Sequence, residues 1–189
     1  DDVYAELYFG NERPLPAKAF DREGLVMHCS SFSKSLAPGY RIGWVAPGRF
    51  ARQIARRKLT TTLNTSVPTQ AALAKYLQHS GFDRHLRRLR KTLATQQTQY
   101  LEAVARHFPP GTRVTRPAGG YFLWLELPPP ADALVIQQRA ARLGISIAPG
   151  PMFSAGRGFG HCLRLNCGHP LDTCAESALA TLGRLAGEG

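Results

Sequence analysis

No run of apolar residues in this 189-residue chain approaches the ~20 needed to span a bilayer. The opening residues show no basic segment followed by an apolar stretch. Cysteine is scarce, with only Cys29, Cys162, Cys167 and Cys174, irregularly spaced and without a C-x-x-C pair. That leaves no basis for a disulfide framework, a zinc ribbon or a dithiol redox motif, and the four read as reduced core thiols of a cytoplasmic protein. The six histidines have no metal-ligand spacing. Repeats and low-complexity segments are missing as well. Acidic residues are few: 13 Asp and Glu stand against 24 Lys and Arg, a net charge of +11.

What is present is the composition of a packed globular protein, 43% hydrophobic and 20% charged, with a length suited to one large domain or one and a half small ones. The densest basic stretch puts Arg84, Arg87, Arg88 and Lys91 on one face of a helix, with Leu86, Leu89 and Leu93 opposite. Such a run is first a solvated helix face. A second reading, an electrostatic aid to a nucleic-acid-binding neighbour, lacks the aromatic interleaving of direct readout.

Turn signals divide the chain. Residues 1–9 read as a strand end entering a loop. Residues 25–30 form a short apolar strand leading into Ser31-Phe32-Ser33-Lys34, and residues 41–46 form a second buried strand after the Pro38-Gly39 turn. Helices are expected over residues 50–59, over residues 66–77 behind a Thr65-Ser66 cap, and over residues 82–107 up to Pro109-Pro110-Gly111. An α+β unit follows, with strands at 112–115, 120–127, 145–148 and 162–166 and helices at 132–143 and 171–185. Short apolar strands with helices between them indicate an α/β sheet.

The chemistry is concentrated in Ser31-Phe32-Ser33-Lys34-Ser35-Leu36-Ala37-Pro38-Gly39-Tyr40-Arg41-Ile42-Gly43-Trp44. A lysine at the end of a buried strand is partly desolvated, which disfavours its charged form and leaves an amine able to attack a carbonyl. Arg41, beyond a Pro-Gly turn, can swing back to the same point, where its planar fork suits a phosphate and hydroxyls such as Ser31 complete the cradle.

The whole string resembles the lysine signature of fold-type-I pyridoxal-5'-phosphate (PLP) proteins, the aspartate aminotransferase superfamily. It is most similar to the aminotransferase-like domain of MocR-type regulators of the GntR family. The resemblance implies PLP as cofactor, with Lys34 carrying it as a Schiff base. It also makes Asp1-Asp2-Val3-Tyr4 the element that holds the ring: Asp1 beside the protonated pyridine nitrogen and Tyr4 on the phenolic oxygen, with Asp2 as the alternative if the register slips by one. Cys162-Leu163-Arg164-Leu165-Asn166 resembles the small-domain strand whose arginine clamps a substrate α-carboxylate. The alternative for Arg164 is a structural ion pair. Pro117-Ala118-Gly119-Gly120-Tyr121-Phe122-Leu123-Trp124 resembles another strand of that family, in which the glycines either admit a ligand close to the backbone or simply turn the chain. Pro149-Gly150-Pro151-Met152-Phe153 resembles the loop over the site, with a packing role.

The implied fold is α/β, the C-terminal part of an aspartate aminotransferase-like PLP-dependent transferase. Residues 1–80 would be the remaining part of the large domain, 81–108 a connecting helix, and 109–189 the small α+β domain. An opening on Asp-Asp-Val-Tyr without Met reads as the middle of a longer protein. Its glycine-rich phosphate loop and ring-stacking aromatic would precede Asp1, and this portion alone would be inactive. The resemblance implies an effector domain of a transcriptional regulator that responds to an amino acid or small amine. That protein would be homodimeric and would touch DNA only through a separate N-terminal domain. The alternative is a free-standing aminotransferase acting on 2-aminoadipate or an aromatic amino acid, with transaminase-type chemistry in the intact protein.

Overall fold

The computed structural model describes residues 1–156 and 158–188. Its contacts divide the chain into two compact units, Asp1–Lys91 and Thr92–Gly189. Their boundary lies inside the longest helix.

The first unit carries two antiparallel strands, β1 (His28–Ser31) and β2 (Gly43–Ala46), with Ser31 opposite Gly43 and Ser30 opposite Trp44. Gly43 is required by this pairing, because a Cβ there would lie 2.9 Å from the Ser30 carbonyl oxygen. Helices α1 (Ala51–Thr61) and α2 (Val67–Leu77) follow, and α3 (Gly81–His107) begins in this unit. The Arg face of α3 is solvated as its spacing indicates: Arg84, Arg87, Arg88 and Lys91 are exposed while Leu86 is buried.

Two expectations need correction here. The second strand is not buried: Trp44 and Val45 are exposed, since a sheet of only two strands has little to cover its faces. Residues 1–9 contain a turn rather than a strand end, closed by Ala5 N–H to Asp2 O and Leu7 N–H to Tyr4 O, with Leu7 driven fully inside.

The second unit is a four-stranded antiparallel sheet with order β3-β4-β6-β5: β3 (Arg113–Val114), β4 (Phe122–Glu126), β5 (Ala148–Pro149) and β6 (Cys162–Asn166). Alternation along β4 and β6 turns Leu123, Leu125, Leu163 and Leu165 to one face. There they form a single core cluster with Tyr100 and Val104 of α3, Ile136 of α4 (Ala133–Arg142), and Leu179 and Leu182 of α5 (Thr173–Gly187). Each such aliphatic side chain contributes about 1.5–3 kcal/mol of burial.

Both later helices start on an aspartate cap: Asp132 accepts from Leu134 N–H and Val135 N–H, and Asp172 accepts from Ala175 N–H. The third strand of this sheet in sequence starts later than its apolar run suggests. Gly144 at φ 75° and Ile145 still donate to Ala141 O and Ala140 O, so the end of α4 holds them until Ala148 can pair with Arg164. No helix among the described residues is long and apolar enough to cross a membrane.

Candidate functional site

Lys34 lies in a tight turn at the end of β1. Phe32 N–H donates to Ile42 O at 3.1 Å, and Phe32 O accepts from both Leu36 N–H (2.9 Å) and Ala37 N–H (3.0 Å). The turn cannot extend into a helix. Pro38 forces the residue before it into extended backbone, and Ala37 has φ −155° and ψ 127°. A single 3-10 turn, Pro38–Tyr40, then delivers Arg41 in the left-handed conformation at φ 52°.

That backbone swings the Arg41 fork back. Its Nη1 donates to Pro38 O at 3.4 Å and reaches Ser33 Oγ at 3.5 Å. Ser31 Oγ accepts from Ser33 N–H at 3.4 Å. The hydroxyl nearest the guanidinium is therefore Ser33, the residue before Lys34, whereas the sequence singles out Ser31. Lys34 Nζ lies 5.9 Å from the centroid of the Tyr4 ring. The structure thus brings Lys34 to Tyr4, and Arg41 to the lysine turn.

Asp2 rather than Asp1 is locked into the sheet. Asp2 N–H donates to Cys29 O at 2.8 Å, Ser30 Oγ donates to Asp2 O at 3.1 Å, and Asp2 Oδ2 lies 2.9 Å from His28 Nε2. Asp1 is exposed.

Residues of the Arg-rich helix, to which the sequence assigned no part in the lysine site, also fix this region. Arg90 Nε donates to Glu6 O at 2.7 Å, and its guanidinium lies 3.9 Å from the Tyr8 ring, which ties the turn after Tyr4 to α3. His85 Nε2 lies 3.0 Å from Ser35 O. These pairs are separated by 84 and 50 positions, so no local spacing signals them.

In the second unit Arg164 occupies the middle of β6, opposite Trp124 on one side and Ala148 on the other. Alternation turns it away from the leucine core. Its guanidinium carbon lies 4.1 Å from the Phe122 ring and 4.6 Å from the Phe153 ring, an arrangement in which a flat cation meets the negative faces of two aromatics. Trp124 packs edge-on against Phe153 and Phe159. Among the described residues Arg164 makes no ion pair, so its alternative reading as a structural salt bridge is not what holds it. Arg164 also lines a cavity of about 650 Å³ together with Phe122, Ile147, Met152 and Asn166.

Phe153 has more than the packing role expected of its loop, since it touches the guanidinium directly. Gly150 makes that loop possible: a Cβ there would collide with the Phe159 carbonyl oxygen. Gly120 has φ 79°, the left-handed backbone that the turn requires, and no described protein atom lies within 4 Å of a Cβ there. No group of three or more His, Cys, Asp and Glu among the described residues could hold a metal ion.

Comparison with known proteins points in one direction. The family model for aminotransferase class I and II matches residues 1–180. An uncharacterized HTH-type transcriptional regulator, YdcR of Escherichia coli, is 50% identical over 188 residues, covering 100% of this chain and 40% of that protein. Aromatic-amino-acid aminotransferase 1 of Thermococcus litoralis is 34% identical over 88% of this chain and 40% of its own length. The crystal structure of LysN, the alpha-aminoadipate aminotransferase of Thermus thermophilus complexed with N-(5'-phosphopyridoxyl)-L-leucine, superposes with a TM-score of 0.89. It is 32% identical and is covered to 49%, with 100% of this chain included. The chain therefore spans about two fifths of the length of the curated relatives it matches.

Proposed function

Since the chain belongs to the aminotransferase class I and II family, we propose that it is the PLP-binding, aminotransferase-like effector portion of a HTH-type transcriptional regulator. The observation that carries this reading is the 50% identity to a HTH-type regulator across the whole chain. In the proposed protein a separate DNA-binding domain contacts the operator, and binding of an amino acid or small amine here changes its affinity. The protein is proposed to be a cytoplasmic homodimer.

The residues present fit the cofactor. A lysine amine beside a phenol offers a point of attachment for an aldehyde, and a guanidinium beside a serine hydroxyl offers donors for a phosphate. Lys34 is the proposed covalent anchor. Arg41 and Ser31, with Ser33, hold the phosphate, Tyr4 donates to the phenolic oxygen, and Asp1 faces the pyridine nitrogen. When bound, PLP supplies the electron sink that stabilises negative charge on a substrate Cα. The amine of Lys34 moves the proton at that carbon. Arg164 orients the substrate by a bidentate contact to its α-carboxylate. Its ring-sandwiched guanidinium is already flat and ordered, so little side-chain entropy is lost on binding.

A second reading, a free-standing aminotransferase, is favoured by the likeness to aromatic and aminoadipate aminotransferases. One experiment separates the two. Full-length protein is mixed with PLP, reduced with borohydride and mapped by peptide, then assayed for operator binding with and without candidate amino acids. Label on Lys34 and an amino-acid-dependent shift in operator affinity are expected. Label on another lysine would refute the cofactor site. Brisk transamination with no DNA binding would leave the enzyme.

A further inference from the structure

Lys34 is followed by a carbonyl that its own turn cannot satisfy. In a continuing helix the carbonyls of Lys34 and Ser35 would accept from positions 38 and 39. Position 38 is proline, without an N–H, and Ala37 is already extended. Ser35 is buried, with only 3% of its surface exposed, so water is a poor substitute. The donor comes from outside the turn: His85 Nε2 lies 3.0 Å from Ser35 O. A carbonyl only accepts, so Nε2 carries the hydrogen.

The same helix grips the turn at a second point. Phe82, one turn before His85 on α3, packs its ring edge-on against Phe32 with centroids 6.1 Å apart, and Tyr76 of α2 backs Phe82. Residues two before and one after Lys34 are therefore held by two α3 residues on one helix face. Between these contacts, the Phe32 carbonyl closes the turn through Leu36 and Ala37.

The geometry points to His85 as a positioning residue for the Lys34 amine. By supplying a donor to the Ser35 carbonyl where the broken turn offers none, it fixes the turn from which the lysine projects. This inference rests on Lys34 being the cofactor lysine. His85 reaches the turn through the Ser35 carbonyl, one residue after Lys34. Its effect is on how often the lysine occupies the reactive arrangement, an entropic contribution of the kind that orders a reacting group before reaction.

The test uses the full-length protein as wild type, His85→Ala and His85→Gln; a glutamine amide nitrogen reaches as far as imidazole Nε2 and still donates. Three quantities are read: the PLP dissociation constant from the visible absorbance, the fraction of borohydride label on Lys34, and amide exchange across residues 33–37 without cofactor. His85→Ala is expected to weaken PLP about tenfold and speed exchange of that segment, with His85→Gln returning both to within about threefold of wild type. Faster exchange with unchanged PLP affinity in His85→Ala would reduce His85 to a fold residue and overturn the inference, as would equal losses in both variants. Wild-type label at a lysine other than Lys34 would instead bring down the cofactor reading itself, a result visible before either variant is compared.

Discussion

His28 Nε2 and Asp2 Oδ2 lie 2.9 Å apart, which joins the first residues of the chain to β1. The edge of Trp44 packs on the same imidazole with centroids 5.0 Å apart. Together with the backbone bond from Asp2 to Cys29 and the Ser30 hydroxyl on Asp2 O, the contact gives Asp2 a structural employment. Of the two adjacent aspartates, Asp1 is then the better candidate for the pyridine nitrogen.

The two aspartates should separate cleanly in the full-length protein. Asp1→Asn is expected to lower amino-acid-dependent chemistry roughly a hundredfold or more, because an amide cannot keep the ring nitrogen protonated. Asp2→Asn retains an acceptor for His28 and should leave that chemistry within about tenfold of wild type. Half-reaction rates with an amino acid decide it. The reverse ranking would move the role to Asp2.

Arg164→Lys tests the clamp. Lysine keeps the charge but loses the planar fork and its stacking between Phe122 and Phe153. Amino-acid affinity should fall about 10- to 100-fold while PLP affinity stays near wild type, as charge-assisted bonds are worth about 1.5–3 kcal/mol each. Titration of the PLP-loaded protein with the amino acid, beside a PLP titration, measures both. Equal losses in the two would argue against a carboxylate role.

Gly183 in α5 is a packing requirement. A Cβ there would run into the His107 carbonyl at the end of α3. Alanine would gain about 0.8–1 kcal/mol of helix propensity, but the opposing atoms are backbone and cannot turn aside. Gly183→Ala should therefore destabilise by about 1–3 kcal/mol, read as a lower urea midpoint. Gly187→Ala, where nothing lies within 4 Å of a Cβ, is the control and should change the midpoint little.

Cys167 predicts an alkaline limit. It is fully buried, and burial pushes its thiol up to about 11 from an ordinary value of 9.0. A raised folded-state value means the stabilising difference is whole below about pH 9 and drains away as pH rises toward 11, where the unfolded chain has released a proton that the folded chain still holds. Thermal melts from pH 8 to 11 should show this fall, and Cys167→Ala should flatten it. Cys174 is exposed on α5 and not the core thiol expected of it, so at neutral pH iodoacetamide should modify it first and reach Cys167 only on unfolding. Equal labelling rates would contradict the burial.

Much of the fold was legible in the chain. The period of Leu86, Leu93, Tyr100 and Val104 marks the inner face of α3, helices form where they are expected, near 132–143 and 171–185, and β6 falls where alternating Leu163 and Leu165 put it. These are local rules of spacing and capping, each carried by neighbours in sequence. The same holds for the lysine turn, since Ala37-Pro38-Gly39 dictates where the turn stops and how Arg41 comes back.

By itself the sequence determined which side chains could do chemistry: an amine at 34, a fork at 41, another fork at 164. Only the tertiary structure decided how they are held. His28 on Asp2, His85 on Ser35, Arg90 on Glu6, and Phe122 with Phe153 on Arg164 each join residues distant along the chain. A hydrogen bond or ring contact is a matter of a few ångströms in space, and between such residues that proximity is created by packing, which no local pattern encodes.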